Sequence, residues 1–240
     1  MKRSLIIVTL IIMGLTACSR NVVYKDVTDK VAAADSLFNA KKYARAAVLY
    51  DEVSFERKSG QTAYALMRLA DSYFAVNRFT DARQRYEQFT KTFPQHTDVN
   101  RAMYQIAVCY YEESLPAQYD QTLTLNCIDA FRNFVLKYPS DPMYSQAVEY
   151  VRKAQFKLIQ KKYLNGYIYY MMKDYSSALM YFSEVTELGN TDELDRLSHY
   201  YSGKILREQK NIDGAKLHLL ALQDKYPDSK ETRKLSQKLK

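Results

Sequence analysis

Glycine and proline are scarce in this chain, 6 and 5 among 240 residues. So few backbone breakers, beside 22 Tyr and 10 Phe, argue for helices packed through aromatic side chains and against extended disordered stretches. Histidine is scarcer still. His96, His199 and His218 lie far apart with no His-x-x-x-His spacing, so they read as structural or surface groups and no metal site is expected. A glycine-rich phosphate loop, a nucleophile elbow and a Ser-x-x-Lys motif in matching context are all missing. Glu112 and Glu113 are neighbours in sequence, so a helix points them in different directions and they make no carboxylate dyad. The chain therefore reads as non-enzymatic, with no catalytic residues and no cofactor. The apolar stretch from Leu5 to Leu15 is too short to cross a bilayer core, which takes roughly 20 apolar residues.

That stretch has a different use. Met1-Lys2-Arg3 places two positive charges before it and Thr16-Ala17 closes it with small residues, the layout of a secretory signal. Leu15-Thr16-Ala17-Cys18 resembles the bacterial lipoprotein signal at all four positions. The resemblance implies that residues 1–17 are a signal peptide, that Cys18 carries acyl chains, palmitate among them, and that residues 18–26 form a lipidated linker. More than one chain gives lasting membrane attachment. Ser19, in place of Asp, implies delivery to the outer membrane, and no acidic run follows, so a periplasm-facing position is expected. Loss of Lys2 and Arg3 with the signal lowers the formal charge from +8 to +6 and leaves 223 residues, one large domain or two small ones. An exported chain meets neither chromosome nor ribosome, so no nucleic-acid partner is expected. The charge reads as a solvated face with some attraction to acidic partners or lipid headgroups.

A repeat organises the remainder. The small residues Ala34, Ala70, Ala107, Gly166 and Gly203 recur at spacings of 36, 37, 59 and 37, and a second set, Ala46, Ala82, Cys127, Ala178 and Ala215, follows twelve residues later in four of five units. Four residues after each second small residue stands Tyr50, Tyr86, Phe131, Phe182 or Leu219, and three further on Val53, Phe89, Phe134, Val185 or Leu222. Such spacing marks one apolar face of a helix. Small residues let two antiparallel helices approach while the large residue one turn on fills the adjoining groove. Lys41-Lys42-Tyr43, Asn77-Arg78-Phe79, Lys173-Asp174-Tyr175 and Lys210-Asn211-Ile212 read as the polar turns between them, and Pro94, Pro139 and Pro227 end three of the units. This is the tetratricopeptide pattern. The expected fold is all-α, a superhelix of five helix pairs with a long connecting helix and a C-terminal capping helix.

Two irregularities stand out. Ala107 and Cys127 are 20 apart, so eight extra residues enlarge the loop of the third repeat around "EESLPAQYDQ". Between Pro139 and Gly166 no breaker intervenes, and Asp141-Pro142 is a good helix start, so one helix is expected from about Met143 to Met172. It divides repeats one to three (27–142) from a second part (143–240) holding this helix, repeats four and five, and a cap that starts with a capping box at Asp228 and Glu231.

The order of these features resembles the BamD family of outer-membrane protein assembly lipoproteins. The resemblance implies a non-enzymatic adaptor of the machine that inserts β-barrel proteins into the outer membrane. Its carboxy-terminal repeats would dock on the POTRA domains of a BamA-like barrel subunit, and its amino-terminal repeats would receive unfolded outer-membrane β-barrel proteins. A second function class compatible with the repeats is a periplasm-facing repeat lipoprotein that coordinates cell-wall synthesis with the envelope. Projection of the repeat places Phe38, Tyr64, Asp71, Phe74, Tyr104 and Tyr111 on the concave face, a surface suited to an extended, aromatic-ended peptide. Arg196 falls at a position the resemblance marks for docking, and Tyr200 and Arg207 share its helix face, so the three are expected to meet the barrel subunit. Cys109 and Cys127 fall on opposite helices of one hairpin. A disulfide is open to them, but Cys127 in a small-residue slot reads better as a buried alanine substitute.

Overall fold

The computed structural model describes residues 24–240, and among them the chain forms eleven helices and no strand. The first three pairs are α1 (Val27–Asn39) with α2 (Tyr43–Ser54), α3 (Gly60–Ala75) with α4 (Phe79–Thr92), and α5 (Val99–Glu113) with α6 (Thr122–Lys137). There follow α7 (Tyr144–Met171), α8 (Tyr175–Thr186), α9 (Glu193–Glu208), α10 (Ile212–Lys225) and α11 (Lys230–Lys238). Each helix packs on its predecessor, so the fold is an all-α tetratricopeptide stack. The signal peptide, Cys18 and most of the linker expected at 18–26 lie outside the described residues.

The repeat pattern is the packing pattern. Ala34, Ala70, Ala107 and all five residues of the second small set are fully buried, as are Tyr50, Tyr86, Phe131 and Phe182 behind them. Where glycine takes the slot the approach is closer still. A Cβ on Gly166 would stand 2.9 Å from the Phe182 ring, and one on Gly203 would stand 2.6 Å from Leu235.

The four polar turns share one geometry. Lys41, Asn77, Lys173 and Lys210 have φ between 56° and 64°. In each turn the next residue's N–H donates to the carbonyl five residues back, as Lys42 does to Leu37 (2.8 Å) and Asp174 to Tyr169 (3.0 Å), while the left-handed residue donates three back. This pair of hydrogen bonds is the Schellman motif, in which a left-handed residue satisfies the last carbonyls of a helix. Long flexible Lys and Asn hold a conformation that favours glycine because the second helix must turn back at once. The third repeat has the longer loop instead, and buried Gln121 organises it by donating to the carbonyls of Pro116 (2.9 Å) and Tyr119 (3.2 Å).

The long helix expected from Met143 to Met172 runs over Tyr144–Met171, 28 residues or about 42 Å. Its first half closes the third repeat through Ala147, Tyr150 and Ala154, and its second half is the first helix of the fourth repeat. The capping helix starts one residue later than the sequence suggested. Ser229, not Asp228, caps it, accepting from Thr232 N at 3.1 Å, and Glu231 is left free to turn inward.

Candidate binding surfaces

The concave side of the amino-terminal repeats carries a ladder of alternating charge. Asp35 and Asp71 each follow a small slot residue, and each accepts from a tyrosine 15 residues on: Tyr50 at 2.5 Å and Tyr86 at 2.6 Å. Burial, reinforced by these carboxylates, pushes both phenols well up from their ordinary pKa, so they remain neutral donors. Arg68 stands between the carboxylates, 3.9 Å from each, with its guanidinium 3.7 Å over the Phe38 ring. Arg101 completes the ladder by donating to both oxygens of Asp71 at 2.6 and 2.7 Å.

This ladder sorts the residues expected to meet a client peptide. Phe38 is half-buried and edge-on to Tyr43, Phe74 is half-buried against Phe79, and Tyr64 is 42% exposed with its hydroxyl on Asp35 at 2.8 Å. Tyr111 is half-buried beside Tyr150. Two expectations need correction. Asp71 has a side chain only 10% exposed, and both its oxygens are engaged, so it joins repeats two and three rather than facing a ligand. Tyr104 is buried among Phe131, Phe134 and Tyr150, with its hydroxyl on Gln146 at 3.2 Å, because the first half of α7 folds over it. The sequence carried a signal for the Asp71 role: Asp35–Tyr50 and Asp71–Tyr86 repeat at one offset.

At the other end, Arg196, Tyr200 and Arg207 do share one side of α9, but two of them are already occupied. Arg196 Nε lies 3.2 Å from the buried carboxylate of Glu231, and Arg207 Nε donates to the Lys238 carbonyl at 2.6 Å. Leu235 sits between them on Gly203. The face expected to be open for docking is therefore covered in part by α11, which the two arginines fasten, and only Tyr200, half-buried beside Tyr201, lacks such a role. A charge reversal at Arg196 would for this reason disturb the fold as well as the surface.

His199 and His218, distant in sequence, meet between α9 and α10 with Nδ1 atoms 2.9 Å apart. His199 Nε2 faces the fully buried Asp195 at 3.6 Å, and Asp195 also accepts from Lys225 (3.1 Å) and the Tyr226 hydroxyl (2.8 Å). Burial pushes His218 down to about 4, helped by its neighbour, and lowers His199 as well. The pair is structural, as expected of histidine here, but its members are not the isolated groups that the sequence suggested. Cys109 and Cys127 are free thiols in separate core clusters, one packed with repeats one and two and the other with α7, so no bridge joins them. Burial pushes each thiol up to about 12, which leaves both unreactive. Among the described residues no group of histidines, cysteines and acids is placed to hold a metal, and no helix is long and apolar enough to cross a membrane.

Comparison with known sequences agrees with this architecture. The tetratricopeptide repeat family matches residues 64–96 and 198–229, parts of repeats two and five. The outer membrane protein assembly factor BamD of Rickettsia prowazekii is 25% identical over 245 aligned positions that cover 96% of this chain and 94% of the relative. BamD of Caulobacter vibrioides is 24% identical over 151 positions, 61% of this chain and half of that protein's length. Among solved structures, the TPR2AB-domain:pHSP90 complex of yeast Sti1 superposes with a TM-score of 0.46 at 12% identity, covering 89% of this chain and 82% of that one. With helix pairs from Val27 to Lys238 in tetratricopeptide register, the chain is similar to BamD nearly end to end.

Proposed function

We propose that this protein is a non-enzymatic adaptor of outer-membrane protein assembly, held at the outer membrane by acyl chains on Cys18 and facing the periplasm. The observation that carries the reading is the likeness to a named assembly factor across 96% of the chain. A stack of helix pairs with an aromatic concave side fits it, since such surfaces bind extended segments. Unfolded β-barrel proteins are received on the amino-terminal repeats at Phe38, Tyr64, Phe74 and Tyr111, while Asp71 and Tyr104 keep those repeats in register. The fourth and fifth repeats dock on the POTRA domains of a BamA-like subunit through Tyr200 and the helix α11 that Arg196 and Arg207 hold. The likeness to BamD supports this reading over that of a cell-wall coordinator.

The decisive experiment is affinity purification of the tagged chain from detergent-solubilised envelopes. A POTRA-barrel protein should co-purify in stoichiometric amount and should be depleted with Tyr200→Ala. Recovery of cell-wall synthases in its place would overturn the assignment. Membrane fractionation tests the anchor: Cys18→Ala should leave an uncleaved precursor in the inner membrane, whereas normal processing and outer-membrane residence would refute lipid attachment at that cysteine.

A further inference from the structure

The half-buried cations of the first three repeats are matched by acids: Arg68 by Asp35 and Asp71, Arg101 by Asp71, and Arg83 by Glu87 and Glu113. On α7 that matching fails. Glu149, Arg152, Lys153, Phe156, Lys157 and Gln160 recur at offsets of three and four and so share one helix face, which with Tyr111 bounds an open groove of about 370 Å³. Arg152 and Lys153 share the single carboxylate of Glu149, at 3.0 and 4.0 Å. Lys157 forms no ion pair among the described residues, and residues 1–23 contain no acid that could supply one. Its ammonium rests on the Ser114 hydroxyl (2.6 Å) and 4.9 Å over the Tyr111 ring. Burial holds it below the ordinary lysine range, which an added anion would relieve. The groove also has an apolar wall, because Phe156 is 42% exposed and pairs with no aromatic ring among the described residues.

From this surface, three cations against one shared acid with an aromatic ring on each side, we infer that the groove between Tyr111 and α7 binds an extended acidic peptide segment bearing one large apolar side chain. Carboxylates of the segment face Arg152, Lys153 and Lys157, and its apolar side chain lies between Tyr111 and Phe156. From Glu149 to Gln160 the face is about 16 Å long at 1.5 Å per residue. An extended chain rising about 3.3 Å per residue fills that length with roughly five residues. The site lies at the junction of the two blocks and stands apart from the docking face of the fifth repeat. It shares Tyr111 with the proposed client surface, but it does not rest on that reading.

The test uses the purified chain and a fluorescein-labelled peptide, Glu-Glu-Phe-Glu-Glu with both ends capped, followed by fluorescence anisotropy. Saturable binding is expected, weakened about tenfold or more as salt rises from roughly 50 to 300 mM, since the Debye length falls below the reach of exposed charges. The double variant Arg152→Glu with Lys153→Glu should lower affinity at least about tenfold, by exchange of attraction for repulsion. Both side chains are solvent-exposed, and circular dichroism checks that the helix persists. Should the reversal perturb it, Arg152→Gln with Lys153→Gln gives the same comparison at neutral charge. Phe156→Ser should remove the preference for Glu-Glu-Phe-Glu-Glu over Glu-Glu-Ser-Glu-Glu. Equal binding of Lys-Lys-Phe-Lys-Lys, or undiminished binding by the charge variants, would overturn the inference. So would sedimentation of the protein with phosphatidylglycerol vesicles that the acidic peptide fails to release, which would make the groove a lipid site. No barrel subunit or client enters the assay, so its result is independent of the envelope purification.

Discussion

Acidification should loosen the carboxy-terminal end of this protein before the rest. His218 takes its proton near pH 4 in the folded chain and near 6.5 once unfolded. A histidine with a depressed folded value leaves stability intact above the unfolded pKa, and stability then falls with pH until the folded value is reached, so the window runs from about 6.5 down to about 4. Each unit is worth about 1.4 kcal/mol, and lowering the pH from 7 to 5 removes about 2 kcal/mol through this one group. His199 shifts in the same direction and adds to the loss, while Asp195 opposes its shift. For a chain of this size the change corresponds to a fall of roughly 4 to 8 °C in melting temperature. The assay is a series of thermal melts at pH 7, 6 and 5 on wild type and on His218→Gln, whose amide can still meet the His199 ring. Hydrogen exchange at pH 5 should place the loss in α9, α10 and α11. Parallel pH profiles for wild type and variant would refute the reasoning, because the slope would then belong to groups elsewhere.

Three further outcomes follow from the geometry. Lys173→Gly should raise stability by about 0.5 to 1 kcal/mol in urea titrations, because φ near 62° strains a residue with a Cβ and suits glycine; a loss would mean that the lysine side chain makes a contact of greater worth. Ala82→Leu should cost about 1 to 3 kcal/mol by overpacking a slot with no exposed surface, and an unchanged melting temperature would remove Ala82 from the helix contact. Arg196→Glu sets a second carboxylate against buried Glu231 and should cost about 3 kcal/mol, while Glu231→Arg in the same chain should restore much of it; equal stability of single and double variants would deny the pairing.

Much of the fold was legible because the small and large slots of each helix pair recur at fixed offsets, and steric fit at a helix contact depends on residue size, which a sequence states outright. The places of four turns were legible too, though not which residue of each adopts the left-handed conformation. The binding surfaces were less so. Projection put Asp71 on the concave face but could not tell that Tyr86 and Arg101, from two other helices, take up both its oxygens. Tyr104 vanished under α7 for a similar reason: a helix longer than one repeat unit covers positions that a regular repeat leaves open. Arg196 and Arg207 looked free because their partners lie some 30 residues on, in a tail whose polar composition suggested only a solvated cap. His199 and His218 meet through the antiparallel packing of α9 and α10, a proximity that metal-ligand spacings within one helix do not reveal.

The continuity of α7 also bears on how the molecule comes apart. In a stack of repeats each unit feels only its neighbours, and the weakest interface is where a domain boundary would open. Here the two blocks meet within a single helix, so separating them requires breaking it. Each new helix end would leave four backbone groups without partners, and no glycine or proline stands between Tyr144 and Asn165 to ease the break. The junction therefore behaves as a rivet. Thermal fraying starts at α1 and at α11, and melting should remain cooperative across both blocks. A pull on one block is transmitted to the other as rigid displacement, without the slack of a hinge.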